Sequence, residues 1–436
     1  MVIRTRILEK GFVVLALLFL SQAVAPLVGE ESGFVADPAQ GDPVMQTIYG
    51  GIYAVCFLIL GIHWRQAIHI AMANKLLLLL LGIAFASVFW SVAPEVTVRR
   101  SAALAGTTLF GFYLAMRFSL SAQLRLLACM LGISALLSLV FALALPTIYG
   151  PFSAEPWRGI YEGKNQLGVH MALGSLVFLL IAMNDRRHSW VAWTACALSV
   201  ILLLLSNSMT SLIIFVGLLI LLPLYRVLRW DYTLSISFLI VAVLLGGSIA
   251  LWLWSNQEAV LTALGRDVTM SQRTLLWAAV VDMIQERPWL GYGYGAFWLD
   301  AAGMSSSIIM GLNLGSFPYA HNGILDLWLD LGLLGVSAFI VMFLIYSLRA
   351  VAWVRSTKTA EGLWPLAYTT FILLFNMTEG AFLRQNSALW VLYVATMSSL
   401  AIKRDGFHLR ARANKVAARL QKPSPSGAYG EVRSRS

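Results

Sequence analysis

The sequence predicts an all-α membrane protein that crosses the bilayer about twelve times. Hydrophobic residues make up 59% of the 436 residues, charged residues make up only 12%, and the mean hydropathy is +0.77. Apolar runs of roughly 17–25 residues recur along the chain, which is the length needed to cross a hydrocarbon core about 30 Å thick. Because a helix satisfies its backbone hydrogen bonds internally, these runs are expected to be helices.

The expected spans form one integral membrane domain over residues 1–404. The first span could instead be a cleaved signal peptide, since the basic sequence MVIRTR precedes it and AVA at 23–25 resembles a cleavage site. Residues 405–436 form a basic cytoplasmic tail that we expect to be largely disordered. The expected spans lie at about 11–28, 46–62, 75–92, 101–119, 124–146, 166–183, 190–205, 209–225, 233–254, 322–347, 363–379 and 386–402.

Basic residues predict which ends of these spans face the cytoplasm, because cytoplasmic loops of membrane proteins are enriched in Lys and Arg. With the N-terminus inside, HWRQAIH, RFSLSAQLR, NDRRH, YRVLRWD, LRAVAWVRSTK and the C-terminal tail are all cytoplasmic. The formal net charge of +10 then reflects topology and attraction to anionic inner-leaflet lipid rather than nucleic-acid binding. Eight of the 31 Lys and Arg residues remain outside: Arg99, Arg100, Arg158, Lys164, Arg266, Arg273, Arg287 and Arg384.

Two external segments are long enough to carry a functional site, one at 146–165 and one at about 255–320. Within the second, MSQRTLLWAAVVDMIQER predicts a helix with Ser271 as its N-cap and Pro288 after its end. GYGYGAFW is then expected to be a flexible loop. We expect the whole segment to fold over the outer mouth of the helix bundle.

Several kinds of chemistry are disfavoured by the motifs that the chain lacks. It has no Asp-x-Asp pair and no histidine cluster, so neither a bound metal nor a metal-dependent nucleotide-sugar transferase is expected. GYGYG follows no predicted strand and lies on the side without nucleotide pools. The chain also has no Gly-x-Ser-x-Gly nucleophile elbow. Cys56, Cys129 and Cys196 fall within expected spans, where we expect small core residues.

Three external basic residues are candidates for binding an anion. Arg158 and Lys164 precede a span, helix N-termini attract anions, and Arg offers paired hydrogen bonds to phosphate oxygens. This pattern predicts a phosphate or pyrophosphate clamp, although basic residues at span ends also serve as interfacial anchors. Arg273 lies near the start of the expected loop helix, where the helix dipole disfavours a cation. An anionic ligand would remove that conflict, and so would Asp267 or Glu258.

The stretch SFPYAHNGILDLWLDLGLLG carries further polar candidates. His321 is the histidine expected on the outer side beyond the spans, where it could take a proton from a hydroxyl near neutral pH. Asn322 could orient the ring. Asp326 and Asp330 follow Asn322 by one and two turns of the expected helix, and carboxylates inside a span usually face a partner or a wet cavity. A lone histidine is also commonly structural, and the two carboxylates could merely hold the helix against its neighbours.

Glu379 and Arg384 lie in NMTEGAFLRQNS, at the outer ends of the last two expected spans. They could form an ion pair with each other. Alternatively, they could complete the pocket that contains His321.

The order of these motifs resembles the O-antigen ligase and polymerase superfamily. The resemblance rests on PWRGIYEGKNQLG, SNSMTS, GRDVTMSQRTLLW, ERPWLGYGYGAFW and YAHNGILDLWLDLGLLG, and it covers roughly residues 150–400. The pattern is most similar to the exopolysaccharide polymerase branch, whose members act late in succinoglycan-type synthesis. The first third of the chain matches in hydropathy alone.

This resemblance implies a helix bundle of the type-C glycosyltransferase class that uses no metal or nucleotide cofactor. Its substrate is an oligosaccharide on undecaprenyl pyrophosphate, presented at the periplasmic face of the bacterial inner membrane. The family's pyrophosphate-binding arginines would fall on Arg158 and Arg273, and its histidine that activates the acceptor hydroxyl would fall on His321. Lys164, Asn322 and Arg384 are further candidates for the same pocket. The expected partners are inner-membrane lipid, a flippase and a chain-length regulator, with no nucleic acid.

The residues fit this chemistry on their own. Breaking a sugar–pyrophosphate bond builds negative charge on the leaving diphosphate, and arginine stabilises such charge without a metal. A sugar hydroxyl is a poor nucleophile, so a base contributes about 10²–10⁴-fold. His321 opposite Arg158 and Arg273 would complete an inverting displacement.

Three other functions compete with a polymerase. An O-antigen ligase would use lipid A core as its acceptor, but the short loop between Arg273 and His321 favours a polymerase. A flippase or transporter for lipid-linked sugars would also need a cationic cavity. Transporters usually show paired repeats and broken helices near the midplane, whereas this chain concentrates its polar residues at one face. A purely structural assembly partner would not need His321.

Overall fold

The computed structural model of the protein describes residues 2–23, 42–145, 156–184, 189–256, 273–299 and 319–402. These residues form α-helices, short 3-10 helices and turns, and no β-strand occurs among them. The all-helical part of the expected fold class is therefore confirmed. The tail, Ser271, Asp267 and Glu258 lie outside the described residues, as does much of the expected external loop.

The helices follow the expected spans in chain order. Three short 3-10 helices lie between them, at Ser87–Trp90, Phe297–Leu299 and Glu361–Leu363. The α-helices of the described residues are α1 (Val2–Leu20), α2 (Pro43–Ile62), α3 (Trp64–Ala73), α4 (Lys75–Ala86), α5 (Pro94–Arg117), α6 (Leu120–Ala144), α7 (Lys164–Asn184), α8 (Ser189–Leu205), α9 (Met209–Val227), α10 (Tyr232–Ser255), α11 (Arg273–Glu286), α12 (Gly323–Ser356), α13 (Trp364–Asn376) and α14 (Ala388–Ile402).

Five helices in the described part of the chain are long and apolar enough to cross a membrane: α2, α6, α7, α9 and α12. The segment from α3 to Trp90 adds a sixth if it is counted as one bent span. Helices α8 and α14 are shorter and also apolar. These helices support a polytopic membrane protein, and the number of twelve spans remains a prediction.

The expected third span, at about 75–92, matches the segment Lys75–Trp90, but a further helix precedes it in the structure. Helix α3 and the segment Lys75–Trp90 meet at an angle of 89°, so the sequence HWRQAIH lies largely in a helix rather than in a connection. Asn74 occupies the break, where its Nδ2 donates to the carbonyl of Ile70 at 2.7 Å. Its Oδ1 accepts from the hydroxyl of Tyr346 at 2.7 Å. Buried Asn74 thereby satisfies a backbone group that the break frees.

The fourth expected span begins earlier than residue 101, because α5 starts at Pro94. Proline is favoured in the first turn of a helix, since its fixed φ suits the helix and its missing N–H is not needed there. Arg99 and Arg100, which we expected in a loop, therefore lie within α5. Nη1 of Arg100 donates to the carbonyl of Gly295 at 3.0 Å, which ties α5 to the GYGYG segment.

The tenth expected span is one helix with a break at Gly332, where φ is 64° and ψ is −168°. The segment at 288–293, which includes the start of GYGYG, covers this break and exchanges backbone hydrogen bonds with both sides of it. Backbone groups inside a membrane protein need such replacement partners wherever a helix is interrupted. The four bonds run from Tyr292 N to Leu329 O (2.7 Å), Gly293 N to Asp330 O (3.0 Å), Leu333 N to Pro288 O (2.8 Å) and Leu334 N to Trp289 O (3.2 Å).

GYGYGAFW, which we expected to be a flexible loop, is packed into the protein. Tyr292 and Tyr294 are 1% and 2% exposed, and the hydroxyl of Tyr294 donates to the carbonyl of Leu383. Gly291 has a φ of 67°, and a Cβ there would lie 2.4 Å from the carbonyl oxygen of Leu329. Glycine is needed at this position because it alone combines a positive φ with so close a backbone contact.

Helix ends that the basic-residue pattern assigns to one side meet in the structure. At one end of the bundle, Nε2 of Gln166 at the start of α7 donates to Oε1 of Gln22 just after α1. At the other end, Nε of Arg117 lies 2.6 Å from Oε1 of Glu9. The packing agrees with the predicted pairing of these helix ends, and the orientation of the protein in the membrane remains a prediction.

Cys129 differs from the other two cysteines. Cys56 and Cys196 are buried as expected, whereas Cys129 is exposed on the outside of α6. Ile133 and Leu136, on the same helix, are 41% and 58% exposed. The expectation of a core position was wrong for Cys129 because an outward helix face in a bilayer is as apolar as the interior.

Candidate active site

The carboxylate of Glu379 joins two of the predicted site residues. Its Oε2 lies 3.1 Å from Nδ1 of His321, and its Oε1 lies 3.3 Å from Nη2 of Arg273. The Glu379 side chain is 7% exposed, while those of His321 and Arg273 are 14% and 19% exposed. A histidine, an arginine and a carboxylate are thus held together in a mostly buried cluster.

Each member of this cluster lies at or just beyond a helix end. Arg273 begins α11, His321 immediately precedes the N-cap of α12, and Glu379 follows the end of α13. The backbone N–H of Glu379 donates to the carbonyl of Phe375 at 2.9 Å, which continues the last turn of α13. The ends of three helices therefore deliver the three side chains to the same end of the bundle.

Asn165 is a further partner of Glu379. Its Nδ2 donates to Oε1 of Glu379 at 3.3 Å, and its Oδ1 accepts from the hydroxyl of Ser208 at 3.0 Å. Ser208 also shares a hydrogen bond of 3.0 Å with Ser211. A Cβ on Gly168 would lie 2.7 Å from Cβ of Ser208, so glycine allows the close approach of these segments. The motifs KNQLG and SNSMTS therefore meet beside the cluster.

The segment before α12 presents His321 in an unusual conformation. Its φ is 51°, a left-handed value that costs a non-glycine residue about 1–3 kcal/mol. The ring centre of Tyr319 lies 4.3 Å from that of His321, and Arg384 lies 5.2 Å from the centre of the Tyr319 ring. Burial raises the pKa of Tyr319 above its usual range, and the Glu379 carboxylate raises it further. The phenol therefore remains protonated beside the imidazole.

The side chain of Asn322 caps the start of α12. Its Oδ1 accepts from the backbone N–H groups of Ile324 and Leu325 at 3.0 and 3.3 Å. Asparagine is among the residues that best satisfy the first N–H groups of a helix. Glu379 contacts Nδ1 of His321, and an orienting role for Asn322 remains a prediction.

Asp326 and Asp330 line a cavity of about 190 Å³ near the cluster. Oδ1 of Asp326 accepts from Nε1 of Trp298 at 3.0 Å and from the N–H of Ala320 at 2.8 Å. Asp326 therefore serves both roles that the sequence left open, since it faces a cavity and also fixes the segment before His321. Other residues around this cavity are Arg100, Tyr294, Tyr319, Arg384 and Gln385.

Glu379 and Arg384 share a pocket rather than an ion pair. Glu379 pairs with Arg273 and His321, whereas Nη1 of Arg384 donates to the carbonyl of Gly380 at 3.0 Å. Both side chains line a second cavity, of about 90 Å³. Because Arg384 also lines the cavity with Asp326, it lies between the two cavities.

Arg158 and Lys164 lie in the segment that enters α7. Nη1 of Arg158 donates to the carbonyl of Glu162 at 3.5 Å, and Lys164 is the exposed first residue of α7. The N–H of Ile160 donates to the hydroxyl of Ser138 at 3.4 Å, which anchors this segment on α6. The pyrophosphate clamp remains a prediction for both basic residues.

Three residues around the cluster were not among the expected site residues: Asn165, Tyr319 and Arg100. Asn165 and Tyr319 fall within the motifs KNQLG and YAHNG, so the motifs themselves were a signal. Arg100 is one of the eight basic residues that the expected topology leaves outside. Their contacts could not be read from the sequence because each partner lies on a distant segment.

The cluster can accept a proton beside a fixed positive charge. When Nδ1 of His321 carries the proton donated to Glu379, the basic lone pair of the ring lies on Nε2. The carboxylate would also stabilise the imidazolium that forms when Nε2 is protonated. Arg273 contacts Glu379 through Nη2, and a guanidinium carries five N–H donors in all. In the described ranges no three His, Cys, Asp or Glu side chains are grouped as metal ligands.

Comparison with known proteins finds a family that part of this chain matches. Residues 194–340 match the family model described as O-antigen ligase. This match includes Arg273 and His321, while Asn165, Glu379 and Arg384 lie outside it. This part of the chain is thus similar to an O-antigen ligase domain, as the order of its motifs suggested.

Two curated proteins are similar over a longer part of the chain. The exopolysaccharide production protein ExoQ of Rhizobium meliloti is 24% identical over 344 residues, which cover 71% of this chain and 77% of that protein. The general O-oligosaccharyltransferase of Acinetobacter baylyi is 24% identical over 264 residues, 54% of this chain and 45% of that protein. The chain is therefore a membrane protein with a region that matches the O-antigen ligase family model, and it is similar to a protein of exopolysaccharide production.

Proposed function

We propose that this protein is a polysaccharide polymerase of exopolysaccharide biosynthesis. It transfers an oligosaccharide from undecaprenyl pyrophosphate onto a sugar hydroxyl at the periplasmic face of the bacterial inner membrane. The cluster of His321, Glu379 and Arg273 carries this proposal, because it places a candidate base beside a fixed cation. The match to the O-antigen ligase family model and the similarity to an exopolysaccharide production protein support a lipid-linked saccharide as substrate.

His321 acts as the base in the proposed transfer. The acceptor oxygen forms a bond to the anomeric carbon of the donor sugar while the bond from that carbon to the pyrophosphate oxygen breaks. The hydroxyl proton passes to Nε2 of His321, and the bonding electron pair leaves with the diphosphate. Attack opposite the leaving group inverts the anomeric configuration. A positioned base contributes about 10²–10⁴-fold to such a step.

Glu379 is a positioning residue in this scheme. It contacts Nδ1 of His321, so it selects the tautomer that has its lone pair on Nε2. It also stabilises the imidazolium once the acceptor proton has been transferred. Asn165 and Arg273 hold the other carboxylate oxygen, which keeps the carboxylate in place.

Arg273, with Arg158 and Lys164, binds the pyrophosphate in the proposed complex. Arginine remains charged at all physiological pH values and presents paired donors to phosphate oxygens. Its charge stabilises the leaving diphosphate directly, so the scheme requires neither a metal nor a nucleotide. Asp326, Asp330 and Arg384 would then contact the saccharide in the adjoining cavity.

If the protein is a polymerase, the direction of transfer is defined. The growing chain moves from its lipid carrier onto a newly delivered repeat unit, and both termini of the protein face the cytoplasm. A flippase that delivers the unit and a chain-length regulator are the expected partners. The short loop between Arg273 and His321 favours this reaction over ligation to lipid A core.

Replacing His321 with Ala tests the proposal. We expect high-molecular-weight polymer to disappear while lipid-linked repeat units still reach the periplasm. Polymer would be measured by gel electrophoresis, and periplasmic units by their accessibility to an external glycosidase in spheroplasts. His69→Ala is the matched control, since His69 is an exposed histidine of α3 outside the cluster, and it should form normal polymer.

The outcomes separate the competing functions. Normal polymer length in the His321→Ala strain, with the saccharide on lipid A core also unchanged, would exclude His321 as the base. Repeat units trapped on the cytoplasmic face would favour a flippase instead. Loss of saccharide from lipid A core, with polymer length unchanged, would favour an O-antigen ligase.

A further inference from the structure

The cavity that Glu379 shares with Arg384 has a second polar wall, which the proposed reaction does not use. This wall comes from the first two turns of α7, where Gln166 and His170 lie one turn apart on the same helix face. The end of α1 closes the cavity through Ser21 and Gln22. The cavity therefore runs from the Glu379 carboxylate to a pair of polar side chains on another helix.

Gln166 and His170 each carry a buried atom that has no hydrogen-bond partner among the described residues: Oε1 of Gln166 and Nε2 of His170. His170 is 6% exposed, and its ring stacks on Tyr161 with 4.7 Å between the ring centres. A buried polar atom without a partner is unfavourable, so its presence calls for an explanation such as a ligand or water.

Both of these atoms are hydrogen-bond acceptors. Nδ1 of His170 lies 2.8 Å from the carbonyl of Gln166, and that contact requires the proton to be on Nδ1. Nε2 of the neutral ring is then an acceptor. Nε2 of Gln166 donates to Oε1 of Gln22 at 3.4 Å, which leaves Oε1 of Gln166 as an acceptor as well. These two acceptors on the wall therefore favour a ligand that donates hydrogen bonds.

The wall favours a ligand that donates hydrogen bonds, and this property distinguishes a sugar from a phosphate. Ionised phosphate oxygens only accept hydrogen bonds, so the pyrophosphate does not fit this wall. Sugar hydroxyls both donate and accept, and Asn386 and Ser387 add neutral polar groups to the same cavity. The volume of about 90 Å³ is enough for about three waters, at about 30 Å³ each, or for the hydroxyl-bearing edge of one sugar ring.

We propose that the cavity between α1, α7 and the 379–389 segment is a subsite for one sugar unit of the saccharide substrate, with Gln166 and His170 accepting hydrogen bonds from its hydroxyl groups. This inference rests on the proposed function, because it names a saccharide contact of the same site. Arg384 and Tyr319 line this cavity and the one with Asp326, so the saccharide would extend past the base through both cavities.

Two substitutions test the subsite on the full-length protein in membranes. His170→Phe keeps a ring against Tyr161 and removes both nitrogens, and Gln166→Met keeps an unbranched chain and removes the carboxamide. Each should raise KM for the saccharide about 3–10-fold, the effect of one lost hydrogen bond, with kcat little changed. We expect little change in the melting temperature, because each replacement also removes a buried acceptor that has no partner among the described residues.

Ser175→Ala in the same helix is the matched control. Ser175 is also buried, but its hydroxyl donates to the carbonyl of Met171 at 2.8 Å and the residue does not line the cavity. Its substitution should leave KM unchanged. The concentrations of the lipid-linked donor and of the free repeat-unit oligosaccharide would be varied separately. KM should rise for the substrate whose sugar occupies the subsite.

The subsite is overturned by wild-type KM values in both variants. In that case a lowered melting temperature would indicate that the two side chains have a structural role. An unchanged melting temperature would indicate that the cavity holds only water. Direct binding of the free oligosaccharide separates this failure from that of the proposed function. If wild-type protein binds the oligosaccharide but transfers nothing, the transferase proposal fails while the subsite stands, provided that His170→Phe weakens the binding.

Discussion

Oε2 of Glu379 lies 3.1 Å from Nδ1 of His321, although 58 residues separate the two along the chain. Their approach depends on the contact between the start of α12 and the end of α13. A Cβ at Gly323 would collide with Oδ1 of Asn376, so glycine allows the two helix ends to meet. Asn376 Oδ1 also accepts from the N–H of Ala381 at 2.7 Å, which shapes the turn after Glu379.

Glu379→Gln should lower the turnover number without a comparable change in KM. The amide keeps the shape of the side chain but cannot stabilise an imidazolium, so we expect a loss of about 10²-fold or more. Initial rates with lipid-linked repeat units in purified membranes would measure it. Glu162→Gln, at an exposed position near Arg158, should behave like the wild type. Wild-type turnover in Glu379→Gln would remove Glu379 from the mechanism.

Arg273→Lys should lose most activity although the charge is kept. A lysine ammonium cannot form two parallel hydrogen bonds to phosphate oxygens or reproduce the guanidinium geometry beside Glu379. Arg287→Lys, at a position stacked on Tyr292 with 5.0 Å to the ring centre, keeps a cation in the same region and should retain activity. Polymer yield and initial rate measure both variants. Full activity of Arg273→Lys would argue against bidentate phosphate binding.

Gly332→Ala should destabilise the protein by more than about 1–3 kcal/mol, the cost of a strained backbone conformation alone. Alanine would have to adopt the positive φ of Gly332, and its Cβ would collide with the backbone of Trp289. The segment at 288–293 could then not stay packed against the break. Thermal unfolding in detergent measures the effect. Gly82→Ala in α4 is the control, because a Cβ there has no neighbouring atom within 4 Å. Equal melting temperatures for the two variants would contradict this role of Gly332.

Asn322 provides a test that separates capping from ring orientation. Asn322→Ser keeps an oxygen that accepts from the first N–H groups of α12, so both stability and activity should be retained. Asn322→Ala should lower the free energy of unfolding by about 0.5–2 kcal/mol. Chemical unfolding and initial rates measure the pair. A large loss of turnover in Asn322→Ser, at unchanged stability, would indicate that Asn322 orients the His321 ring.

Several site residues could be predicted from the sequence, because membrane topology determines where basic residues are common and where they are rare. Basic residues on the outer side are disfavoured, so Arg273 and Arg384 required a reason to be there. The contacts of Glu379 could not be predicted. The placement of charged residues in the sequence is equally compatible with an ion pair to the nearby Arg384 and with one to Arg273. The structure resolves this choice through the 3.3 Å contact between Glu379 and Arg273.

The sequence by itself determined that the chain is helical, lies in a membrane and carries the motifs of an O-antigen ligase domain, because hydropathy and motif order are local properties. Tertiary structure alone decided which polar groups share a site. The break at Gly332, the cap at Asn322 and the approach of Glu379 to His321 each depend on segments far apart in the chain. Such contacts form only when the helices pack, since packing sets the distances between their ends.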